Sequence, residues 1–275
     1  MACSNLSPQM RGRFTLSNEP ITVVILAAQR EGQLDPLAAE AGVSHKCLVP
    51  IGGRPLLAHV LAALDATDGI GEVRIVVEPG AEARLKQIAI GSGLLASFVP
   101  ASSNIADSVY AGAHRIEGPL VVTTADNVLL TPEAVAQVAG RLAAGDDAVV
   151  ALTRKEAVLS AHPQGQRRFY KFRDGEFSNC NLYGLSRRGL RLAETFRSGG
   201  QFAKNPWRIA RAFGLLNLLR LRYGLLSLDD AARRASRRFR ARVSTLVLAD
   251  GAHAIDVDNA RTYEIAAELL ERRAA

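Results

Sequence analysis

VILAAQREGQLDPLAAEAGVSHKCLVPIGGRPLL, residues 24–57, is the stretch that decides the fold. It begins inside the apolar run Ile21–Ala28, whose β-branched residues predict a strand buried on both faces. A polar loop with Arg30 and Lys46 follows, and a Gly-Gly-Arg-Pro turn at 52–55 then leads into an apolar helix. Small residues after a strand let backbone N–H groups approach phosphate oxygens, which the two cations would neutralise. The stretch therefore predicts a triphosphate site with Lys46 as its central cation.

Strand and helix patterns alternate over the first two thirds of the chain. After the first strand, apolar β-rich runs predict strands at Val73–Val77, Ala96–Val99, Leu120–Thr124 and Ala148–Leu152, with helices between them. This alternation predicts an α/β fold, a three-layer αβα sandwich around a mostly parallel mixed sheet. Ligands of such sheets bind beyond the carboxyl ends of the strands, so the Lys46 loop and Asp126 should share one edge.

The pattern changes after residue 168. The sequence predicts short antiparallel strands around an Asp174-Gly175 turn, followed by helices, a strand and a C-terminal helix. The segments are Phe169–Phe172, Phe177, Leu182–Leu185, Ser186–Phe196, Pro206–Tyr223, Leu228–Arg240, Val243–Leu248 and Ala260–Arg272. We expect a flexible tail over 1–18 and a single domain over 19–275, with a helical insertion at about 186–240.

Composition excludes several classes of protein. The chain has 275 residues, 48% of them apolar, and no apolar run long enough for a transmembrane helix. The polar N-terminal residues lack the apolar core of a signal peptide. Three distant cysteines, Cys3, Cys47 and Cys180, predict neither disulfides nor zinc and favour a reducing compartment. We therefore expect a cytoplasmic protein.

Arginine dominates the basic residues and is concentrated between Arg208 and Arg242. With a net charge of +7, this segment favours an anionic partner, although a solvated helix face has the same pattern. For the amphipathic stretch 206–240 the open alternatives are peripheral membrane contact, self-association, an acceptor lid, or a helix packed on the sheet. No nucleic-acid partner is expected.

The 24–57 stretch resembles nucleotidyltransferases of the GT-A-like fold, particularly the molybdenum-cofactor guanylyltransferase-like (MobA-like) group. The resemblance rests on Leu26-Ala27-Ala28 and on the second half, where Lys46, Leu48, Pro55, Leu56 and Leu57 match a K-x-L…G-x-P-L-L pattern. Ala28-Gln29 departs from it, because the family usually has glycine there. The resemblance implies that Leu26, Ala27, Ala28 and Gln29 bind the nucleotide and that Lys46 and Arg30 are catalytic.

Two acidic segments extend the resemblance and imply a magnesium site. Asp126 ends a strand in TTADNVLLTPE, and Asp256 and Asp258 lie in AIDVDNARTYEIAAELL, similar to late acidic segments of the family. Mg²⁺ is commonly bound by one or two carboxylates plus phosphates. The resemblance therefore implies Asp126 and Asp256 as metal ligands, with Asp258 as a third candidate or as the N-cap of the last helix.

Base and acceptor contacts are implied more loosely. NIADSVYAG resembles a family segment that lines the base, which implies Asn104, Ser108 and Gly112 as nucleotide contacts, although Ser108 could equally be an N-cap. In the later antiparallel strands, Lys171 and Asn181 are candidate acceptor contacts, with surface charge as the alternative for Lys171.

Together these features predict a magnesium-dependent nucleotidyltransferase. It would transfer a nucleoside monophosphate from CTP, GTP or UTP to a phosphorylated small molecule and release pyrophosphate. The alternatives are a GT-A-type glycosyltransferase and a non-catalytic nucleotide-binding protein. A dinucleotide-binding oxidoreductase would need a G-x-G-x-x-G motif, which 27–32 lacks.

Overall fold

A computed structural model describes residues 19–29, 34–196 and 225–274. The predicted tail at 1–18, the Arg30 side chain and the predicted helix Pro206–Tyr223 lie outside these ranges. The roles proposed for them, including membrane contact or self-association through 206–240, stay predictions, as does the single domain over 19–275.

An eight-stranded mixed sheet forms the centre of the fold, in the order β10-β7-β9-β6-β1-β4-β5 with β8 paired to β9. Strands β6, β1, β4 and β5 are mutually parallel, β10 is parallel to β7, and β9 runs antiparallel between β7 and β6. The strands are β1 Ile21–Leu26, β2 Pro50–Ile51, β3 Arg54–Pro55, β4 Ile70–Val77, β5 Ala96–Pro100, β6 Leu120–Thr124, β7 Ala148–Arg154, β8 Tyr170–Phe172, β9 Gly175–Leu185 and β10 Val243–Leu248. Strands β2 and β3 form a separate two-stranded hairpin.

Helices cover both faces of the sheet. Alternate residues of β1 enter different core clusters, Val23 and Ile25 on one side and Val24 on the other. The α-helices are α1 Pro36–Glu40, α2 Leu56–Asp65, α3 Glu82–Ile90, α4 Ile105–Gly112, α5 Pro132–Ala143, α6 Lys155–Ala161, α7 Leu228–Phe239 and α8 Ala260–Ala274. Short 3₁₀ turns lie at Lys46–Leu48, Gly189–Phe196 and Gly251–Ala254. The predicted α/β sandwich with its mostly parallel sheet is confirmed.

Capping residues explain where several helices begin. Thr131 accepts a hydrogen bond from Ala134 N–H, with Pro132 at the first helical position, as predicted for α5. Ser227 and Asp230 form a reciprocal capping box at the start of α7, which confirms Ser227 as its N-cap. The alternative role of Asp258 as the cap of α8 is wrong, because the Asn259 side chain accepts from Thr262 N–H instead.

Two predictions for the later part of the chain need correction. The isolated strands at Phe177 and Leu182–Leu185 are one continuous strand, β9, because hydrogen bonds to β7 and β6 hold the whole segment in the sheet. The helix predicted at Ser186–Phe196 is a 3₁₀ turn that begins at Gly189, where the Ser186 hydroxyl accepts the Gly189 N–H. Among the described residues, no helix combines the length and apolar character needed to cross a bilayer.

Candidate active site

One edge of the sheet collects the polar residues. Strands β6, β1, β4 and β5 lie side by side, and the chain leaving their carboxyl ends passes through Asp126, Gln29, Glu78 and Asn104 in that order. Backbone bonds extend the parallel pairing past the strands, from Ala125 N–H to the Leu26 carbonyl at 3.0 Å. Carboxyl edges of parallel sheets are the usual binding position in α/β proteins, so this edge is the candidate site.

Lys46 is the cation of this edge. It opens the 3₁₀ turn Lys46–Leu48, and its Nζ lies 2.5 Å from Asp126 Oδ2 and 3.1 Å from Asp258 Oδ1. Burial lowers the pKa of the ammonium, but the charges and hydrogen bonds of Asp126 and Asp258 outweigh burial and raise the pKa above its ordinary value. Lys46 is therefore charged at neutral pH and is paired with two carboxylates.

Asp126 lies directly beyond β6 and is fixed by its neighbours. Its Oδ1 accepts from the Thr124 hydroxyl at 2.5 Å, while Oδ2 accepts from Lys46. The next residue, Asn127, is buried and donates through Nδ2 to Thr123 Oγ1 at 3.2 Å and to the Cys180 carbonyl at 3.1 Å. Asn127 thus ties the turn after β6 to β9, while Asp126 faces the cation.

The Asp256–Asp258 segment reaches the same place from the far end of the chain. Val257 N–H donates to the Asp126 carbonyl at 3.2 Å, which brings the two acidic segments together. Asp256 is only 9% exposed, and its Oδ2 accepts from Asn181 Nδ2 at 2.6 Å. Burial and the negative charges of Asp126 and Asp258 raise the pKa of Asp256 well above its usual range, with Lys46 acting in the opposite direction. Asp126, Asp256 and Asp258 therefore form one electrostatic unit around Lys46.

Gln29 marks the departure from glycine in the phosphate loop. Its backbone N–H donates to Glu78 Oε1 at 2.6 Å, and its side-chain Nε2 donates to the Ser44 carbonyl at 2.9 Å. The other carboxylate oxygen of Glu78 lies 3.5 Å from His45 Nε2. The backbone N–H at the position where the family usually has glycine thus donates to a carboxylate. Ala28, in contrast, is exposed at this edge.

The predicted base-binding segment forms the start of α4. Asn104 is its N-cap and accepts from Asp107 N–H at 3.0 Å, so the alternative of Ser108 as N-cap is wrong. The buried Ser108 hydroxyl instead accepts from Ser102 N–H at 3.0 Å, which fixes the loop after β5. Gly112 packs against the sheet, since a Cβ there would lie 2.8 Å from Val24 Cγ1.

The two predicted acceptor contacts lie in different surroundings. Asn181 contacts the electrostatic unit of Asp126, Asp256 and Asp258, because its Nδ2 donates to Asp256 Oδ2. Lys171 lies on β8 with an exposed side chain and lines a cavity of about 580 Å³ with Lys155, Arg167, Arg168 and Phe169. The structure therefore joins Asn181 to Lys46 and the carboxylates, whereas Lys171 belongs to a separate basic cavity.

The side chains present fit a magnesium ion that is completed by ligand oxygens. Within the described residues, no group of three or more His, Cys, Asp or Glu side chains is arranged to hold a metal by itself. Asp256 Oδ1 is buried and has no hydrogen-bond partner, beside a second carboxylate at Asp126. Mg²⁺ is commonly bound by one or two carboxylates together with phosphate oxygens, and Asp126 and Asp256 would supply the two carboxylates.

Comparison with known families agrees with this geometry. Residues 23–213 match the model of the MobA-like NTP transferase domain. The chain belongs to that family. The matched range contains most of β1 together with Lys46, Asp126 and Asn181, whereas Asp256 and Asp258 lie beyond it.

The chain is also similar to individual proteins and to a solved structure. The chain is 28% identical over 153 residues to 2-C-methyl-D-erythritol 4-phosphate cytidylyltransferase from Pelotomaculum thermopropionicum, covering 54% of this chain and 62% of that protein. It is 36% identical over 109 residues to the bifunctional protein GlmU from Sinorhizobium fredii, covering 38% of this chain and 24% of that protein. The chain thus spans less than two thirds of the length of both relatives. A hypothetical transferase structure from Thermus thermophilus superposes with a TM-score of 0.70 at 28% identity, covering 89% of this chain and 99% of that one.

Several polar residues of the candidate site were not predicted from the sequence. Glu78, Asn179 and Tyr183 all contact predicted site residues directly or through one further side chain. Glu78 was detectable as a polar residue immediately after a buried strand. Asn179 and Tyr183 carried no such signal, because their position depends on how β9 pairs with its neighbours.

Proposed function

We propose that this chain is a cytoplasmic nucleotidyltransferase that transfers a nucleoside monophosphate from CTP, GTP or UTP to a phosphorylated small molecule. The observation that carries the proposal is the convergence of Lys46, Asp126 and Asp256, which are far apart in sequence, at the carboxyl edge of a parallel sheet. Membership of the MobA-like family supports the reaction class. The free thiols Cys47 and Cys180 are compatible with a reducing compartment.

The edge offers a polar track for an extended nucleotide. Asp126 and Lys46 lie at the end of β6, and Asn104 and Ser108 follow β5, three strands away. A triphosphate at Lys46 would therefore place its base toward α4, over the ends of β1 and β4. Ala28 and Gln29 lie between these ends and would contact the nucleotide along its length.

The chemistry follows from charge and position. An oxygen of the acceptor phosphate attacks the α-phosphorus, the bond to the bridging oxygen of the β-phosphate breaks, and pyrophosphate leaves. No covalent enzyme intermediate is needed, because such transfers depend on alignment and charge neutralisation. Lys46, released from its carboxylates, would neutralise charge on the α- and β-phosphates, and Arg30 would assist.

Asp126 and Asp256 are the residues that would hold Mg²⁺, with Asp258 as the third candidate. The ion would neutralise phosphate charge and orient the triphosphate. Lys46 now occupies one oxygen each of Asp126 and Asp258. Movement of the Lys46 side chain toward the phosphates would make these carboxylate oxygens available to the ion. Asn181 and Lys171 remain the proposed acceptor contacts.

A two-stage experiment tests the function. The melting temperature is first measured with ATP, CTP, GTP, UTP and UDP-sugars, each with and without Mg²⁺, and a magnesium-dependent rise is expected for at least one triphosphate. That triphosphate is then incubated with sugar phosphates, polyol phosphates and lipid-headgroup phosphates while pyrophosphate release is measured. A rise with UDP-sugars alone would favour a glycosyltransferase. Binding of a triphosphate, with no pyrophosphate released in the presence of each of the acceptors, would favour a non-catalytic nucleotide-binding protein.

A further inference from the structure

Asn181 has a backbone conformation that its strand does not require. Its φ is +45°, in the left-handed region, and within β9 the terminal Gly175 alone shares a positive φ. The pairing of β9 with β7 is irregular here, because Val150 lies opposite Tyr183 but Leu152 lies opposite Asn179. One residue of β7 therefore faces three of β9, which is a bulge. Bulges of this kind redirect a side chain, and asparagine tolerates the left-handed region better than most residues.

The Asn181 side chain takes part in a chain of hydrogen bonds that ends at the Asp256 carboxyl group. Asn179 Nδ2 donates to Tyr183 Oη at 2.6 Å and to Asn181 Oδ1 at 2.7 Å. Asn181 Nδ2 in turn donates to Asp256 Oδ2 at 2.6 Å. Because an amide has distinct donor and acceptor ends, the Asn179 bond fixes which end Asn181 presents to Asp256. We name these four residues, Asn179, Asn181, Tyr183 and Asp256, the amide relay.

The relay satisfies only half of the Asp256 carboxylate. Oδ2 is held by Asn181, while the buried Oδ1 has no hydrogen-bond partner. Leaving a buried carboxylate oxygen unpaired costs folding free energy, so a cluster that served stability alone would pair both oxygens. The unpaired oxygen belongs to the residue next to Val257, whose N–H donates to the Asp126 carbonyl at 3.2 Å, and Asp126 in turn contacts Lys46.

We propose that Asn181 is a positioning residue, which holds Asp256 through Oδ2 so that Oδ1 is presented to the divalent cation of the bound nucleotide. The inference rests on the proposed function and assigns to Asn181 a task beyond acceptor contact. The bulge and the oriented amides of Asn179 and Asn181 then serve the same purpose, which is to position Asp256. Asn179 acts one step further out, by fixing the amide orientation of Asn181.

The Asn181→Gly variant tests this role with little effect on the backbone. Glycine adopts a positive φ readily, so the bulge can persist while the amide is lost. Mn²⁺ is titrated by electron paramagnetic resonance, with and without the triphosphate that raises the melting temperature most. Loss of an outer-shell hydrogen bond typically weakens metal binding 10- to 100-fold, so we expect the Mn²⁺ dissociation constant to rise about 10-fold. Asn179→Ala should give a smaller rise in the same direction.

Arg115→Gly is the matched control. Arg115 is also a non-glycine residue with a positive φ of 61°, but it is exposed and lies outside the proposed site. Its Mn²⁺ affinity should equal that of the wild type. Equal Mn²⁺ affinity in folded Asn181→Gly and wild type would overturn the positioning role while leaving the proposed function intact. If the wild type binds no Mn²⁺ under any of these conditions, the metal-dependent function fails, and the positioning role with it. Should Asn181→Gly not fold, unchanged affinity in Asn179→Ala overturns the relay.

Discussion

At the scale of single residues, Lys46 occupies a position that a bound metal would compete for. Its ammonium lies 2.5 Å from Asp126 Oδ2 and 3.1 Å from Asp258 Oδ1, so it offsets part of the negative charge of these carboxylates. A triphosphate offers the same ammonium more negative charge. Lys46 therefore has two roles that oppose each other in their effect on metal binding, and removing it should separate them.

Lys46→Met keeps the length of the side chain and removes its charge. Without nucleotide, the variant should bind Mn²⁺ about tenfold or more tightly, because a positive charge within about 4 Å of the carboxylates is lost. With triphosphate present, nucleotide affinity should fall and pyrophosphate release should cease. Isothermal titration calorimetry with Mn²⁺ and with each triphosphate measures the two affinities. An assay of pyrophosphate measures its release.

Lys46→Arg serves as the control, since it keeps the charge and should not tighten Mn²⁺ binding. Circular dichroism would establish that the fold is intact. Pyrophosphate release at the wild-type rate by Lys46→Met would contradict the central role of Lys46.

The convergence of the site was predictable where chain direction alone decides it. Asp126 and the Lys46 loop follow neighbouring parallel strands, so the alternating pattern was enough to place them at one edge. The contact between Asn181 and Asp256 was not predictable, because it depends on a bulge and on a left-handed residue. Such features arise from the pairing of distant segments and leave no local pattern in the sequence.

At the scale of elements, α4 shows how one motif can serve packing as well as binding. The NIADSVYAG segment was interpreted as a base-binding stretch, and its start does lie at the candidate edge. Its glycine, however, faces the sheet, where a Cβ would lie 2.8 Å from Val24 Cγ1 and 3.2 Å from Val76 Cγ2. The glycine lets α4 approach β1 and β4 closely, and Asn104 is held at the edge as a consequence.

Gly112→Ala should therefore destabilise the protein. Relief of the contacts with Val24 and Val76 requires α4 to move outward, at a cost of about 1–3 kcal/mol in the free energy of unfolding. Gly140→Ala is the matched control, because Gly140 also lies within a helix, α5, but a Cβ there meets nothing within 4 Å. That variant should be stabilised by up to about 1 kcal/mol.

Urea unfolding of both glycine variants measures the difference. A companion double variant, Gly112→Ala with Val24→Ala, should be destabilised by less than the sum of the two single variants, because the smaller side chain at 24 makes room for the new methyl group. Equal stability of the two glycine variants would show that α4 is not held by this close contact.

At the scale of the whole molecule, two strands are observed at their predicted bounds, Leu120–Thr124 and Val243–Leu248. The first is buried on both faces and the second lies at the edge of the sheet, but both are rich in β-branched residues, which favour strands. The long strand β9 was predicted only in pieces, since its polar residues, such as Asn179 and Asn181, interrupt the apolar pattern. The polar residues that obscured the strand are the same ones that build the site.

The pH dependence of stability should report a contact that joins two distant parts of the molecule. His253, in the 3₁₀ turn before Asp256, is 4% exposed, and its Nδ1 lies 3.1 Å from the Leu129 carbonyl that precedes α5. Burial lowers the pKa of His253; Arg273 acts in the same direction, while Asp250 and Glu133 oppose it. The folded protein thus favours the neutral ring. Its contribution to stability is complete above the unfolded pKa of about 6.5 and is lost as the pH falls through the folded value.

His253→Asn should flatten this dependence, because an amide can still donate to the Leu129 carbonyl but does not titrate. Below about pH 6.5, the slope of the unfolding free energy against pH should fall by up to about 1.4 kcal/mol per pH unit. Burial also lowers the pKa of His59, so the slope should decrease without disappearing. Urea unfolding between about pH 4.5 and about pH 7.5 measures the slope for the wild type and for His253→Asn. The control is His114→Asn, because His114 is exposed. If both variants keep the wild-type slope, protonation of His253 does not weaken the link between the turn before Asp256 and the start of α5.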